Sequence, residues 1–214
     1  MTSNDAADIS ELLARLRQGE QQALADLFAH YREALRRMID VRLDPRLGGR
    51  VSPSDVLQEA YIDALKRVEH YFAKPDMPFF LWLRWIAGQR LIDVHRQHLG
   101  AQIRDAGQEI SLNYAGVPAA SSACLAARLV GDLTSPSAAL VRAERFAMLE
   151  DALARMDALD REVLTLRHFE ELSNTETAAV LGIQPAAASK RYVRALRRLK
   201  DILTDIPGFL DDQP

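Results

Sequence analysis

"LSNTETAAVLGIQPAAASKRYVRALRRLKDIL", residues 172–203, decides the fold of the C-terminal part of this chain. Ser173 and Glu176 stand at capping-box spacing, in which each side chain satisfies a free backbone N–H of the other residue. A short helix to Leu181 follows. Gly182 suits the left-handed conformation that ends a helix, Ile183 plugs the junction, and Pro185 fits the first turn of the next helix. Ala178, four residues before Gly182, supplies the small side chain that lets two helices cross closely, so the stretch has the pattern of a helix-turn-helix. On its second helix Ala188, Tyr192, Leu196, Leu199 and Leu203 form one apolar stripe, which leaves Ser189, Lys190, Val193, Arg194 and Arg197 facing outward. Cations beside an apolar valine suit the major groove, where Lys and Arg reach guanine edges or phosphates and Val can meet a thymine methyl.

The charge is segregated in the same way. Residues 177–200 carry +6 and no carboxylate, and because the whole chain carries −3, the remaining residues sum to −9. A cationic helix face is often only a solvated face, but joined to a helix-turn-helix it points to nucleic acid. Cys124 is the only cysteine of the 214 residues, which excludes an intrachain disulfide and a four-cysteine zinc site and suits a reducing compartment. The N-terminus is polar and acidic, and no apolar run approaches the roughly 18 residues of a membrane span, so a cytoplasmic protein is expected. No phosphate-binding glycine loop, zinc-protease motif or serine elbow is present, so the expectation is no enzyme, no cofactor and no metal. His95 and His98 are spaced i, i+3, and a solvated or phosphate-facing pair is expected over a metal site.

Helical periodicity runs from Ile9 to Leu99 and resumes from Ala138, without sustained strand-like alternation. The fold class is therefore all-α: an N-terminal helical bundle over 10–104, a long Ala/Ser-rich linker over 105–138, and the helix-turn-helix domain over 139–206. The linker reads as a tether with at most one weak helix near Ser122 to Val130. Ser52-Pro53 is a helix start signal after the Gly48-Gly49 break.

Two N-terminal stretches carry chemistry. "SDVLQEAYIDAL", residues 54–65, turns Val56, Leu57, Ala60, Tyr61 and Ala64 inward and Asp55, Gln58, Glu59 and Ile62 outward. An isoleucine in an acidic exposed patch fits a protein partner with a basic surface, set against the alternative of a scattered surface apolar residue. "FFLWLRWIAGQRLIDVHRQH", residues 79–98, puts Trp82, Trp85, Gln89 and Arg96 near one helical face. That set suits stacking on unpaired bases, at about 1–3 kcal/mol per base; the alternative makes both tryptophans core residues.

In this order the segments resemble one family, the small two-domain bacterial sigma factors of extracytoplasmic function (ECF) type. "LLARLRQGEQQALADLFAHY" is similar to the family's opening helix pair, with Gly19 and Ala23 in place. The resemblance implies a promoter-specificity subunit whose partners are core RNA polymerase, through its beta-prime clamp and beta subunits, and promoter DNA, with an anti-sigma factor as a further candidate. By this match Asp55, Gln58, Glu59 and Ile62 dock on the clamp. Trp82, Trp85, Gln89, Arg90 and Arg96 belong to the segment that melts and reads the minus-ten element, Trp82 holding the opened strand and Gln89 lying where a flipped base is read. The second helix of the helix-turn-helix becomes the minus-thirty-five reader: Ser189, Lys190, Val193 and Arg194 face the major groove, Gln184, Ala186 and Ala187 belong to the same DNA-contacting set, and Arg167 and Arg191 lie near phosphates.

Gln184 stands where the family often has a small hydroxyl cap, and Ser189 where Lys or Arg is frequent. The insertion DPRLGGR and the linker are longer than in the shortest members. Two rival readings share the same motifs: a stand-alone helix-turn-helix regulator binding a duplex operator as a dimer, and a helical adaptor whose basic face binds an acidic protein.

Overall fold

The computed structural model describes residues 3–105, 117–131 and 139–206. Nine α-helices and no extended strand are found among the described residues. They are α1 (Ser3–Arg17), α2 (Gln21–Arg42), α3 (Pro53–Ala73), α4 (Phe79–Asp105), α5 (Ser122–Gly131), α6 (Ala139–Ala154), α7 (Ala158–Leu164), α8 (Asn174–Leu181) and α9 (Pro185–Thr204). A π-helical turn, Thr165–Phe169, prolongs α7.

The start and stop signals act as their chemistry requires. Ser52 and Asp55 form a capping box at the head of α3, with the Ser52 N–H donating to Asp55 Oδ2 at 2.9 Å. Ser173 and Glu176 repeat it on α8, the Ser173 N–H donating to Glu176 Oε2 at 2.8 Å. Gly182 lies at φ 64°, and the Ile183 N–H donates to the Ala178 carbonyl, the long bond of a Schellman ending.

The N-terminal bundle packs Leu24, Leu27 and Leu35 of α2 against Val56, Leu57 and Ala60 of α3 and Leu83, Ile86 and Leu91 of α4. Ala64 completes the α3 stripe and Tyr61 is half-buried on it.

The linker differs from the expected tether. The helix expected near Ser122 to Val130 is present as α5, but it is packed rather than tethered: Leu125, Ala126 and Val130 share one apolar cluster with Val41 at the end of α2, Leu149 and Leu153 of α6, and Ala195 and Leu199 of α9. Val117 is fully buried against Gly88 of α4. Three leucine and valine side chains give this Ala-rich helix enough apolar surface to be worth burying, which composition averaged over 105–138 conceals. Residues 106–116 and 132–138 lie outside the described residues.

A third cluster joins the two ends of the chain. Leu81, in the first turn of α4, is buried with Val163, Leu166, Leu172, Val180 and Leu181, and Met77, Phe80 and Ile183 pack beside it. The helix-turn-helix thus rests directly on the start of α4.

Candidate nucleic-acid and polymerase interfaces

On α9 the expected outward face is exposed. Gln184, Ala186, Ala187, Ser189, Lys190, Arg194 and Arg197 all face solvent, and Val193 is 47 % exposed among them. The apolar seam is shifted from the expected stripe: Ala195 is fully buried where Leu196 was expected, and Leu196 stands on the surface. Seam positions 188, 192, 195 and 199 follow the 3.6-residue period, and bulk misled at position 196.

The cations of this module divide into two kinds. Arg191 is held inside it, Nη1 lying 3.0 Å from Oδ1 of the buried Asp160, with Arg198 3.5 Å from the same carboxylate. Arg167 donates to the Leu172 carbonyl at 2.6 Å and stacks over Tyr192 at 5.2 Å. These two arginines, expected near phosphates, therefore brace the turn in this structure. Asn174 adds a tie that sequence reasoning missed, its Nδ2 donating to the Pro185 carbonyl across the turn.

On α3, Asp55, Gln58 and Glu59 are exposed and Ile62 is 37 % exposed, with Leu65, three residues on and about one helical turn away, equally so. Asp55 is also the third-position partner of Ser52 in the capping box of its helix; hydrogen bonds from Ser52 hold its carboxyl below the usual range. Glu59 lies 3.9 Å from Arg90.

Arg90 itself sits among acids, 2.7 Å from Asp63 and 3.6 Å from Asp93, so its charge is largely neutralised within the bundle. Arg96 is exposed on the same helix, and Gln89 and Trp85 are half-buried. The Arg67 guanidinium lies 5.8 Å from the Trp85 ring. Trp82 departs from the expected platform. It is 6 % exposed, its ring centroid 4.9 Å from Tyr71 and 5.3 Å from Phe79. The expected shared face fails here because α4 begins against Tyr71 at the end of α3, so its first turns are enclosed on more sides than a wheel plot allows.

His95 and His98 are not a solvated pair. His95 is buried, accepting the Asp44 N–H on Nε2 at 3.3 Å, and burial pushes its pKa down. His98 is exposed. No cluster of three His, Cys, Asp or Glu suited to a metal occurs among the described residues, and no described helix is long and apolar enough to cross a membrane.

Sequence reasoning missed the most charged interior of the molecule. Arg42 of α2 and Arg84 of α4, each 1 % exposed, meet Glu162 of α7 and Glu170 just after the π-turn. Arg42 Nη2 donates to Glu162 Oε1 at 2.7 Å and also to Glu170, Nε donates to Glu170 Oε1 at 2.9 Å, and Nη1 donates to Glu162 and to the Pro118 carbonyl at 2.8 Å. Every N–H of that guanidinium has an acceptor. Arg84 Nε donates to Glu170 Oε2 at 2.7 Å. Burial alone would lower Arg42 and raise Glu170, but the opposite charges outweigh it, holding Arg42 above and Glu170 below their ordinary ranges. The one signal in the sequence was Arg84 inside the apolar run LWLRWI.

Comparison with known proteins agrees with this layout. The family model for ECF sigma factors matches residues 6–204. The chain is 27% identical over 202 residues to the ECF RNA polymerase sigma factor BldN of Streptomyces coelicolor, covering 94% of this chain and 68% of BldN. It is 26% identical over 203 residues to the RNA polymerase sigma factor CnrH of Cupriavidus metallidurans, covering 95% and 97%. Among solved structures, that of CnrH in complex with the cytosolic domain of CnrY shares the fold with a TM-score of 0.54 at 22% identity, over 93% of this chain and 99% of CnrH. The match runs through the bundle, the packed linker and the helix-turn-helix alike, and the chain belongs to the ECF sigma factor family.

Proposed function

We propose that this chain is the promoter-specificity subunit of a bacterial RNA polymerase, with its labour divided between two modules at 10–104 and 139–206. The observation that carries the reading is the exposed face of α9, where Ser189, Lys190, Val193 and Arg194 stand together on a helix-turn-helix in a chain of this family. That face reads the minus-thirty-five element in the major groove. The exposed Gln58, Glu59 and Ile62 of α3 dock on the beta-prime clamp, an acidic and apolar patch being suited to a basic partner. The α4 segment from Phe79 to Arg96 melts and reads the minus-ten element. Gln89, Trp85 and Arg96 are its accessible members, and Trp82 contributes once its ring is released from those of Tyr71 and Phe79.

The subunit performs no chemistry itself, acts in the cytoplasm beside the polymerase, and has an anti-sigma protein as a further partner. Free-chain DNA binding is weak, because the −9 outside residues 177–200 opposes approach until polymerase adds its own contacts. A match over residues 6–204 gives a stand-alone regulator no support. The test is a gel shift with and without core enzyme: promoter DNA should be retarded only with both proteins, and tight operator binding by the chain alone would refute the reading. Glu59→Ala should weaken binding to core without altering DNA contacts.

A further inference from the structure

We propose that Asp160 is a positioning residue that holds Arg191 off the DNA backbone, and that it thereby sets how much of the affinity of α9 for DNA is independent of sequence. The inference rests on the sigma-subunit reading above and concerns the helix that reads the minus-thirty-five element.

Asp160, in the first turn of α7, is 3 % exposed. The Asp157 side chain caps that turn, accepting the N–H groups of Leu159 and Asp160 at 3.0 and 3.1 Å, so both carboxylates are fixed in place. On α9, Ala188 and Ala195, three residues before and four after Arg191, are buried. These small side chains let α9 approach closely enough for Arg191 Nη1 to lie 3.0 Å from Asp160 Oδ1 and 3.5 Å from Asp157 Oδ1. Arg198, two turns further on, lies 3.5 Å from the other Asp160 oxygen and is the looser partner, its side chain 57 % exposed against 29 % for Arg191.

Arg191 stands about 60° around the helix from Arg194, at the edge of the exposed face. From there a long, flexible arginine would meet a phosphate on a duplex of any sequence. Asp160 prevents it, because a buried carboxylate deprived of its cation is costly, and moving Arg191 to a phosphate would leave that carboxylate with Arg198 alone. Six Lys and Arg occur in residues 177–200; less Arg191 and Arg198, the four that point to solvent without facing Asp160 are Lys190, Arg194, Arg197 and Lys200. Each phosphate contact steepens the fall of log affinity with log salt by about 0.9 and strengthens binding to every sequence alike. By withholding one such contact, Asp160 lowers the share of affinity that carries no sequence information and leaves the base edges to Ser189, Lys190, Val193 and Arg194. A merely structural ion pair would change stability and leave the salt dependence as it was.

The experiment measures holoenzyme affinity for a promoter duplex and for a duplex of scrambled sequence between about 50 and 200 mM salt. The native chain is compared with Asp160→Asn, with Asp201→Asn as a control for the same change of net charge at an exposed position of α9, and with the double variant Asp160→Asn/Arg191→Gln, whose net charge is native. Asp160→Asn should steepen the salt slope by about 1 on both duplexes and bind the scrambled one several-fold more tightly at the low-salt end, whereas the control and the double variant should keep the native slope. A double variant with a slope shallower by about 1 would mean that Arg191 sits on a phosphate in the native complex, and an unchanged slope in folded Asp160→Asn would mean that nothing is withheld; either result overturns the proposal. Circular dichroism checks helix content, and if Asp160→Asn does not fold, the double variant, which strands no buried charge, decides. Failure of the native chain to form a promoter complex with core would instead overturn the sigma reading. Heparin chromatography of the free full chains then decides the inference: Asp160→Asn should elute at higher salt than both the native chain and Asp201→Asn, and elution together with them would overturn it.

Discussion

Gly88→Ala tests whether the linker is seated on α4 as described. In a helix interior Ala is favoured over Gly by about 1 kcal/mol, so on propensity alone the substitution stabilises. The added Cβ would, however, lie 2.6 and 2.7 Å from the two Val117 methyls and 3.0 Å from its Cβ. Ordinary carbon contacts are about 3.5–4.0 Å, and no rotamer of a β-branched residue withdraws both methyls. Overpacking of this kind costs about 1–3 kcal/mol. If Val117 lifts out instead, burial of about 1.5–3 kcal/mol is lost and the Pro118 carbonyl is drawn off Arg42. Either route cancels the propensity gain and leaves Gly88→Ala between neutral and about 2 kcal/mol destabilising. In a Val117→Gly background the same substitution should stabilise by about 1 kcal/mol, a coupling of about 1–3 kcal/mol. Urea unfolding of the four chains followed by circular dichroism measures it. A Gly88→Ala chain more stable than native by the full propensity gain would refute the seating of the linker.

Arg194→Ala should cost about 1–3 kcal/mol, roughly five- to 150-fold, in holoenzyme affinity for promoters with an intact minus-thirty-five element, measured by competition binding. Arg191→Ala should instead show as lost thermal stability, because it removes the nearer partner of buried Asp160. Trp82→Ala should lower stability by about 3–5 kcal/mol, as expected for an aromatic packed on Tyr71 and Phe79, and should slow open-complex formation in runoff assays at a temperature where it remains folded. Because Arg42 and Arg84 overcome burial and hold Glu170 below the ordinary glutamate range, its contribution is fully present above that range and is lost as pH falls from it through the lowered folded value. Urea midpoints at pH 7 and near pH 3 should therefore differ less in Glu170→Gln than in the native chain.

The helix-turn-helix was legible because its instructions are local. Ser173, Glu176, Gly182 and Pro185 act within a few residues of themselves, and the outward face of α9 follows from a period of 3.6. The outer face of α3 was readable for the same reason. Local pattern was insufficient where three or more elements meet: at Trp82, enclosed at the start of α4; at His95, capping a distant backbone N–H; and at Leu196, displaced from the seam by Ala195. The buried group of Arg42, Arg84, Glu162 and Glu170 was hidden most deeply. Its arginines and glutamates are ordinary surface types scattered through four segments, and only the tertiary approach of α2 and α4 to α7 makes them partners.

Runoff transcription by core polymerase on templates carrying a pool of random promoter sequences, with strand opening mapped by permanganate, tests the central claim most directly. The account expects this chain to direct initiation from a defined pair of elements about 25 base pairs apart, with thymines near minus ten becoming reactive only when chain and core are both present. Transcription unchanged by adding the chain, or opening that needs no minus-thirty-five element and survives Arg194→Ala undiminished on every template, would contradict it.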